Sequence, residues 1–317
     1  MIVAAMLVLS AVSTADLEKA ESLIGAIVGD SLFAKAEDQK VAAFRRRYLS
    51  AVSKVLSGQF RSLEESGLEG DIDEVMAYVE RSLGPDVAEK VRPHAERYLK
   101  QAFRHGQVVE QAPKELREVW DTPRKEAVDW LVEHDRFWIG KVFPSHLSAD
   151  FRQTITAGLE EGLGRKDIAR RLRAMVMGKP GAPAKLEYYT RIAAANLNRA
   201  QNWGTLFTYE AAEIETYTWR AVGDERTCPR CSYFDGQTFS TAPAVSLMRK
   251  ALAEPPEAIE GLAPWPAEDR ERDDFYIKTS KGREYLRGKS AGWLQGHGLG
   301  MPPLHASCRC VVVAEVA

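Results

Sequence analysis

Two short stretches decide the fold of this chain: Cys228-Pro229-Arg230-Cys231 and His305-Ala306-Ser307-Cys308-Arg309-Cys310. Together they hold all four cysteines of the 317 residues. The two-residue spacer of the first stretch lets two thiolates bind one ion, and the second stretch can close the site. Zn²⁺ favours sulfur and nitrogen ligands at such spacings. The pattern therefore predicts a zinc site that joins distant parts of the chain.

Five side chains are candidate metal ligands for the four positions of a tetrahedral site: Cys228, Cys231, His305, Cys308 and Cys310. Cys308 and Cys310 lie two residues apart near a predicted strand over 309–313, so their side chains point to the same face. The spacing leaves open whether His305 or one member of this pair is the spare ligand.

We expect the site to be structural. Catalytic zinc keeps an open position for water, whereas a thiolate-rich set of four or five candidates can close the coordination shell. Two other interpretations are a catalytic metal and a pair of disulfides, the latter in an oxidising compartment.

The net charge of −2 does not indicate what kind of partner the protein binds. The distribution of charge along the chain is more informative. Residues 165–199 contain nine Lys or Arg and two acidic residues, whereas residues 254–274 contain eight acidic residues and two arginines. The first stretch predicts a face that contacts phosphates, and the second an acidic linker or insertion.

The first residues, Met1–Val12, are apolar and precede small residues, as in a signal peptide, but no Lys or Arg comes before them. Apolar residues continue beyond them at helical spacing, which favours a helix. The run is too short to span a membrane. The rest of the sequence contains no transmembrane segment, so we expect no membrane partner.

Helical spacing of apolar residues extends from about 15 to 111, with breaks at Gly67, Gly70 and Gly84-Pro85. Another amphipathic helix is predicted over 115–139. Ser148 is the predicted N-cap of a helix over 149–163 that Gly164 ends. A long helix over 186–212 contains small residues, including Gly204, which predict close packing against another element.

A basic helix over 165–177 carries five positive side chains on its predicted outer side: Arg165, Lys166, Arg170, Arg171 and Arg173. The preceding helix and Gly164 suggest a helix-turn-helix, but two packed helices with solvated arginines are the simpler interpretation. Nonspecific contact with DNA phosphates follows from the charge alone.

After residue 213 the apolar period changes to two, which predicts a strand over 214–221, a turn at Asp235-Gly236 and a returning strand over 237–239. The predicted fold class is α+β, mainly α: a helical N-terminal bundle, then long helices and a small zinc-stapled β C-terminal unit. We predict two domains, over 1–137 and 138–317, with 241–303 as an insertion in the second.

These features occur in a recognisable order. Gly162–Ala169 is followed by Tyr189-Thr190-Arg191-Ile192-Ala193, then Asp224–Cys231, Asp235-Gly236 and Pro302–Cys310. Over roughly 138–313 the chain resembles the phage head morphogenesis family, the Mu F-like minor head proteins of tailed phages and prophages.

The resemblance implies a structural minor capsid protein, present in the interior of the virion head and in the host cytoplasm during assembly. It implies partners in the portal protein, in other capsid or scaffold proteins and in packaged double-stranded DNA, with a role in procapsid assembly and no catalysed reaction. The alternatives are a zinc-ribbon DNA-binding protein and a zinc-dependent nuclease or toxin-related enzyme that uses His305 or His297 near the metal.

Overall fold

The computed structural model describes residues 39–66, 68, 70–107, 125–178 and 186–314; Met1–Val12 lie outside these ranges. Helices make up most of this part of the chain, and two small antiparallel sheets lie in its C-terminal portion. This architecture confirms the predicted α+β, mainly α, fold class. Among the described helices, none combines the length and the apolar character that crossing a membrane requires.

From residue 39 to residue 107 the described chain contains three helices: α1 (Gln39–Ser66), α2 (Ile72–Leu83) and α3 (Pro85–Gly106). The side chain of Asp71 accepts the backbone N–H groups of Asp73 and Glu74, and Glu74 reciprocates at the N–H of Asp71, which fixes the start of α2. Pro85 occupies the first turn of α3, where its missing N–H costs nothing. The predicted breaks at Gly70 and Gly84-Pro85 are confirmed, whereas Gly67 lies outside the described residues.

The next helices are α4 (Lys125–Phe137), a π-helical turn (Trp138–Val142), α5 (Phe143–Glu160) and α6 (Arg165–Met177). The predicted N-cap at Ser148 is wrong, because α5 begins earlier, with Pro144 in its first turn. The Ser148 hydroxyl instead donates to the carboxylate of Glu80 on α2. The predicted helix end at Gly164 is also wrong: Gly162 has the positive φ of 70°, and Gly164 is the N-cap of α6.

Helix α7 (Leu186–Ala211) runs through the centre and packs against α3. The two backbones meet at glycines: a Cβ built on Gly106 would lie 1.9 Å from the Gln201 carbonyl oxygen, and one on Gly204 would lie 2.2 Å from that of Phe103. The predicted close packing at Gly204 is confirmed. The hydrophobic core is continuous from α1 to the last strand, across the predicted boundary at 137/138.

The remaining elements are β1 (Thr216–Arg220), α8 (Pro229–Phe234), β2 (Thr238–Ser240), α9 (Thr241–Ala253), a 3₁₀ turn (Pro256–Ala258), α10 (Ile259–Leu262), β3 (Ala267–Asp269), β4 (Asp274–Thr279), β5 (Gly282–Tyr285), α11 (Ala291–Gly296) and β6 (Val311–Ala314). The first sheet has the order β2-β1-β6, with Thr218 opposite both Thr238 and Val313. The predicted strand and returning strand are confirmed, because β2 pairs antiparallel with β1 after the intervening α8. The final strand begins at Val311 instead of 309.

A second sheet, with the order β3-β4-β5, lies within 241–303 and is absent from the sequence prediction. Its strands have three to six residues, and the first of them lies within the acidic stretch. Such short strands leave too few alternating positions for a periodicity to stand out. The segment 241–303 therefore adds a folded sheet to the C-terminal half.

Candidate metal centre

The first cysteine pair lies at the start of α8. Cys228 is the N-cap of this helix, and its sulfur accepts the backbone N–H of Cys231 at 3.4 Å. Pro229, in the first turn, supplies the fixed φ that a helix start requires. The CxxC turn is therefore a helix N-terminus, and it directs both sulfurs to the same end of α8.

The second group of candidate ligands precedes β6, and the pairing of β6 with β1 brings it to α8. Cys308 and Cys310 are fully buried, whereas His305 is half-buried. The carbonyl oxygen of Cys310 accepts amide hydrogens from Asn198 at 2.8 Å and Asn202 at 3.1 Å. The polar side chains of α7 thus hold the end of the second motif against the core.

All five predicted ligands come together. Their ligand atoms form two overlapping groups, each within 4.8 Å, that share Cys231: Cys228, Cys231 and His305, and Cys231, Cys308 and Cys310. His305 Nε2 lies 3.4 Å from the Cys228 sulfur and 3.0 Å from the Cys231 sulfur, and the Cys231 and Cys308 sulfurs are 4.0 Å apart.

These distances fit a tetrahedral ion. With Zn–S bonds of about 2.3 Å and a Zn–N bond of about 2.0 Å, neighbouring ligand atoms lie about 3.8 Å (S–S) or about 3.5 Å (S–N) apart. The four cysteines are free thiols instead of disulfides. The donor set can hold a metal ion, and its sulfur-rich chemistry suits zinc.

The protonation of the cluster is uneven. A hydrogen bond from Cys231 lowers the pKa of Cys228 to about 3, and the same contact raises the pKa of Cys231. Burial alone would lower the pKa of His305, but hydrogen bonds to the Cys228 and Cys308 sulfurs raise it to about 9. A divalent cation would displace the shared protons, so metal affinity is expected to rise with pH.

A bidentate ion pair joins the two motifs beside the cluster. Arg309, between the last two cysteines, donates from both terminal nitrogens to Asp224, at 2.7 and 2.5 Å. The Asp224 carboxylate also accepts the Thr227 hydroxyl and the Arg226 N–H, which shapes the turn before Cys228. The hydrogen bonds from Arg309 hold the pKa of Asp224 well below its usual range. Sequence spacing alone did not identify this pair.

Replacing Asp224 with asparagine should weaken zinc retention roughly tenfold, because groups that orient the ligand segments typically change metal affinity by 10- to 100-fold. Asparagine keeps the size of the side chain but loses the charge that pairs with Arg309. Competition with a chromophoric chelator measures the change. Glu225→Gln removes the same charge from the exposed neighbouring residue and should leave affinity unchanged. Equal affinities in both variants would contradict the role of the ion pair.

The predicted DNA-contacting residues lie on one helix, apart from the cluster. Arg165, Lys166, Arg170, Arg171 and Arg173 are all exposed on α6. Three of them pair with carboxylates: Arg170 with Asp167 at 2.6 Å, Arg171 with Glu161 at 2.5 Å, and Arg173 with Glu64 at 3.4 Å. Arg165 donates to the Leu68 carbonyl oxygen at 2.8 Å. Such exposed pairs contribute little to stability and exchange readily.

His297, the other histidine considered near a metal, is not part of the cluster. Its ring stacks on Trp293 with 3.9 Å between the ring centroids, and its Nδ1 lies 2.8 Å from the Trp293 carbonyl oxygen. The Cys/His cluster includes His305 alone among the histidines of the described residues.

Comparison with known proteins identifies a family. The model of the family described as Phage Mu protein F like protein matches residues 149–313, more than half of the chain. No match was found among curated proteins or solved structures. The matched region contains both cysteine motifs and the first sheet. The chain therefore belongs to the Phage Mu protein F like family, a family of phage head morphogenesis proteins.

Proposed function

We propose that this protein is a minor capsid protein of a tailed phage or prophage that acts in procapsid assembly at the portal. The observation that carries the proposal is the family match over 149–313. In this role the protein lies inside the head of the virion, after assembly in the host cytoplasm. Its partners are the portal protein, other capsid or scaffold proteins, and packaged double-stranded DNA bound without sequence preference.

The proposed role of the Cys/His cluster is structural binding of one Zn²⁺. Beside Cys231, His305 and Cys310 the cleft measures only about 10 Å³, which is room for about one water molecule and too little for a substrate. A metal here would tie α8 and β1 to the turn before β6. These observations support a protein without a catalysed reaction over a zinc-dependent nuclease.

The four ligands that fit best are Cys228, Cys231, His305 and Cys308. His305 hydrogen-bonds to the sulfurs of Cys228 and Cys308 and lies 3.0 Å from that of Cys231, so it contacts every other member of this set. Cys308 and Cys310 belong to the same group, and Cys308 is preferred because His305 hydrogen-bonds to its sulfur. In this proposal Cys310 remains a thiol beside the metal.

We propose that the two predicted domains have different roles. Residues 1–137 would provide the portal or scaffold contact, and 138–317 would form the head morphogenesis domain with its insertion at 241–303. The outer face of α1 supports the first assignment, because it presents exposed charges, including Arg46, Arg47 and Arg61. The shared core would then hold the two roles in one rigid unit.

Contact with DNA is assigned to the exposed basic side of α6. Its positive residues pair with exposed or partly exposed carboxylates, and a phosphate backbone can replace those partners at small cost. Because this contact involves charge alone, it would not depend on base sequence. A zinc-ribbon protein that reads sequence would instead require base-specific contacts.

Replacing Arg170, Arg171 and Arg173 together with alanine should weaken binding to double-stranded DNA at low salt. The slope of log affinity against log salt should become shallower by up to about 3, since each lost phosphate contact removes roughly 0.9. Fluorescence anisotropy with two unrelated duplexes measures both quantities. Arg46, Arg47 and Arg61 to alanine on α1 is the matched control. An equal loss in the control, or no DNA binding by the wild type at low salt, would contradict the assignment.

A further inference from the structure

A cavity of ≈ 440 Å³ lies where the insertion covers the helical core. One side is formed by the end of α4, the π-helical turn and α7, and the other by α10, the loop after it and the second sheet. Six of its lining residues carry the argument: His134, Trp138, Arg199, Trp265, Tyr276 and Lys278. The volume is in the range of small-molecule sites, which also tend to lie between structural units.

Arg199 is the central feature of this cavity. It is 4% exposed and lies on α7, whose side chains are buried along most of 189–211. One terminal guanidinium nitrogen donates to the Asn196 side-chain oxygen at 2.6 Å and lies 3.3 Å from His134 Nε2. Within the part of the chain that the structure describes, the hydrogen-bonding partners of Arg199 are His134 and Asn196, and neither is a carboxylate.

The charge of the buried Asp135 interacts with Arg199 through space, but the hydrogen-bonded link between them runs through the Asn196 amide. Asn196 donates to an oxygen of Asp135 at 2.5 Å, and the other oxygen of that carboxyl group accepts the hydroxyl of Tyr48. Burial raises the pKa of Asp135 to about 7, so its negative charge is partial at neutral pH. Burial and, to a smaller extent, the charge of Arg199 lower the pKa of His134, so His134 is uncharged at neutral pH. The buried positive charge of Arg199 is thus incompletely balanced, a costly state unless a further anion is present.

The remaining walls suit a flat apolar group. Trp138 and Tyr276 contribute aromatic surface, and Trp265 lies at the mouth, 38% exposed, with its indole N–H bonded to the Pro303 carbonyl oxygen. Lys278 and Glu260 are the exposed charges of the rim. Trp138 begins the π-helical turn, a distortion that is frequent at functional sites.

We propose that this cavity binds a small organic anion, with its carboxylate or phosphate against Arg199 and its planar apolar body against the aromatic walls. A guanidinium is well suited to either group, because its planar fork matches two anionic oxygens. The proposal gives the insertion a role: residues after 254 complete a site that the helices alone leave open. The ligand site is independent of the zinc cluster and of the DNA-contacting helix.

The test uses the full chain with three probes of similar size: benzoate, phenyl phosphate and the neutral benzyl alcohol. Saturation-transfer NMR should detect at least one anion at millimolar concentration and a much weaker signal from benzyl alcohol. Whichever anion binds more tightly shows whether the cavity prefers a carboxylate or a phosphate. Equal signals from all three probes, or none from either anion, would overturn the proposal.

Substitutions in the cavity show where the anion binds. Arg199→Gln should lower the affinity for the preferred anion tenfold or more, because it removes a charge-assisted contact in a buried site. Lys278→Gln should weaken it several-fold, whereas Lys281→Gln, on the same hairpin but outside the cavity, should not. A folded Arg199→Gln protein that binds as the wild type does would refute the assignment. If that variant does not fold, equal affinities of the two lysine variants would refute it.

Discussion

Replacing Cys228 with serine should abolish stable zinc binding and unfold the first sheet at denaturant concentrations that the wild type withstands. Structural zinc can supply on the order of 10 kcal/mol of apparent folding free energy, and a serine hydroxyl does not replace a thiolate ligand. The sulfur of Cys228 lies 3.4 Å from His305 Nε2, so its loss opens one corner of the cluster. Urea unfolding at fixed free zinc, followed by tryptophan fluorescence, measures the change.

Two further cysteine variants make this result specific. Cys308→Ser should lose zinc as Cys228→Ser does, whereas Cys310→Ser should retain it, since Cys310 is the proposed spare thiol. Adding a strong chelator should bring the wild type to the stability of Cys228→Ser and leave that variant unchanged. Wild-type zinc content and stability in Cys228→Ser would refute the metal site. Zinc loss in Cys310→Ser together with retention in Cys308→Ser would refute the ligand set alone.

Replacing Gly106 with alanine should lower the free energy of unfolding by about 3 kcal/mol, at the upper end of the usual cost of overpacking. The added methyl group would lie 1.9 Å from the Gln201 carbonyl oxygen, and a backbone atom cannot rotate away as a side chain can. The helices α3 and α7 would have to separate. Separation would also lengthen two hydrogen bonds: from the Thr205 hydroxyl to the Gly106 carbonyl oxygen, and from the Thr208 hydroxyl to the Gln107 carbonyl oxygen.

Gly58→Ala is the matched control for this substitution. Gly58 lies in the middle of α1 and is exposed, and a Cβ there would have no neighbour within 4 Å. Alanine should therefore stabilise the protein by up to about 1 kcal/mol through its higher helix propensity. Chemical denaturation of both variants gives the comparison. If Gly106→Ala is as stable as Gly58→Ala, the close crossing of α3 and α7 is not present in solution.

Local signals in the sequence predicted the elements that depend on neighbouring residues. The Gly84-Pro85 break and the CxxC turn each specify their structure within a few positions, so they could be recognised before the fold was known. The convergence of five ligands was predictable because a metal site requires its ligands to meet, whatever lies between them.

Features that depend on tertiary contacts were not predictable in this way. Ser148 has the residue type of an N-cap, but an earlier proline starts the helix, and its hydroxyl binds Glu80 instead. The Asp224–Arg309 pair spans 85 residues, and no spacing rule connects them. Arg199 was counted among the basic residues of a surface stretch, yet it is buried. The i, i+3 spacing of Asn196 and Arg199, which places them on the same side of α7, was the available signal.

The most direct test of the central claim, that one zinc ion joins the two cysteine motifs, is the metal content of the purified protein by elemental analysis. Thiols are titrated on the same sample. The expected result is about one zinc per chain, with the three ligand cysteines, Cys228, Cys231 and Cys308, reacting as free thiols only after chelation. A protein without metal, whose cysteines are either freely reactive from the start or joined in disulfides, would contradict the claim.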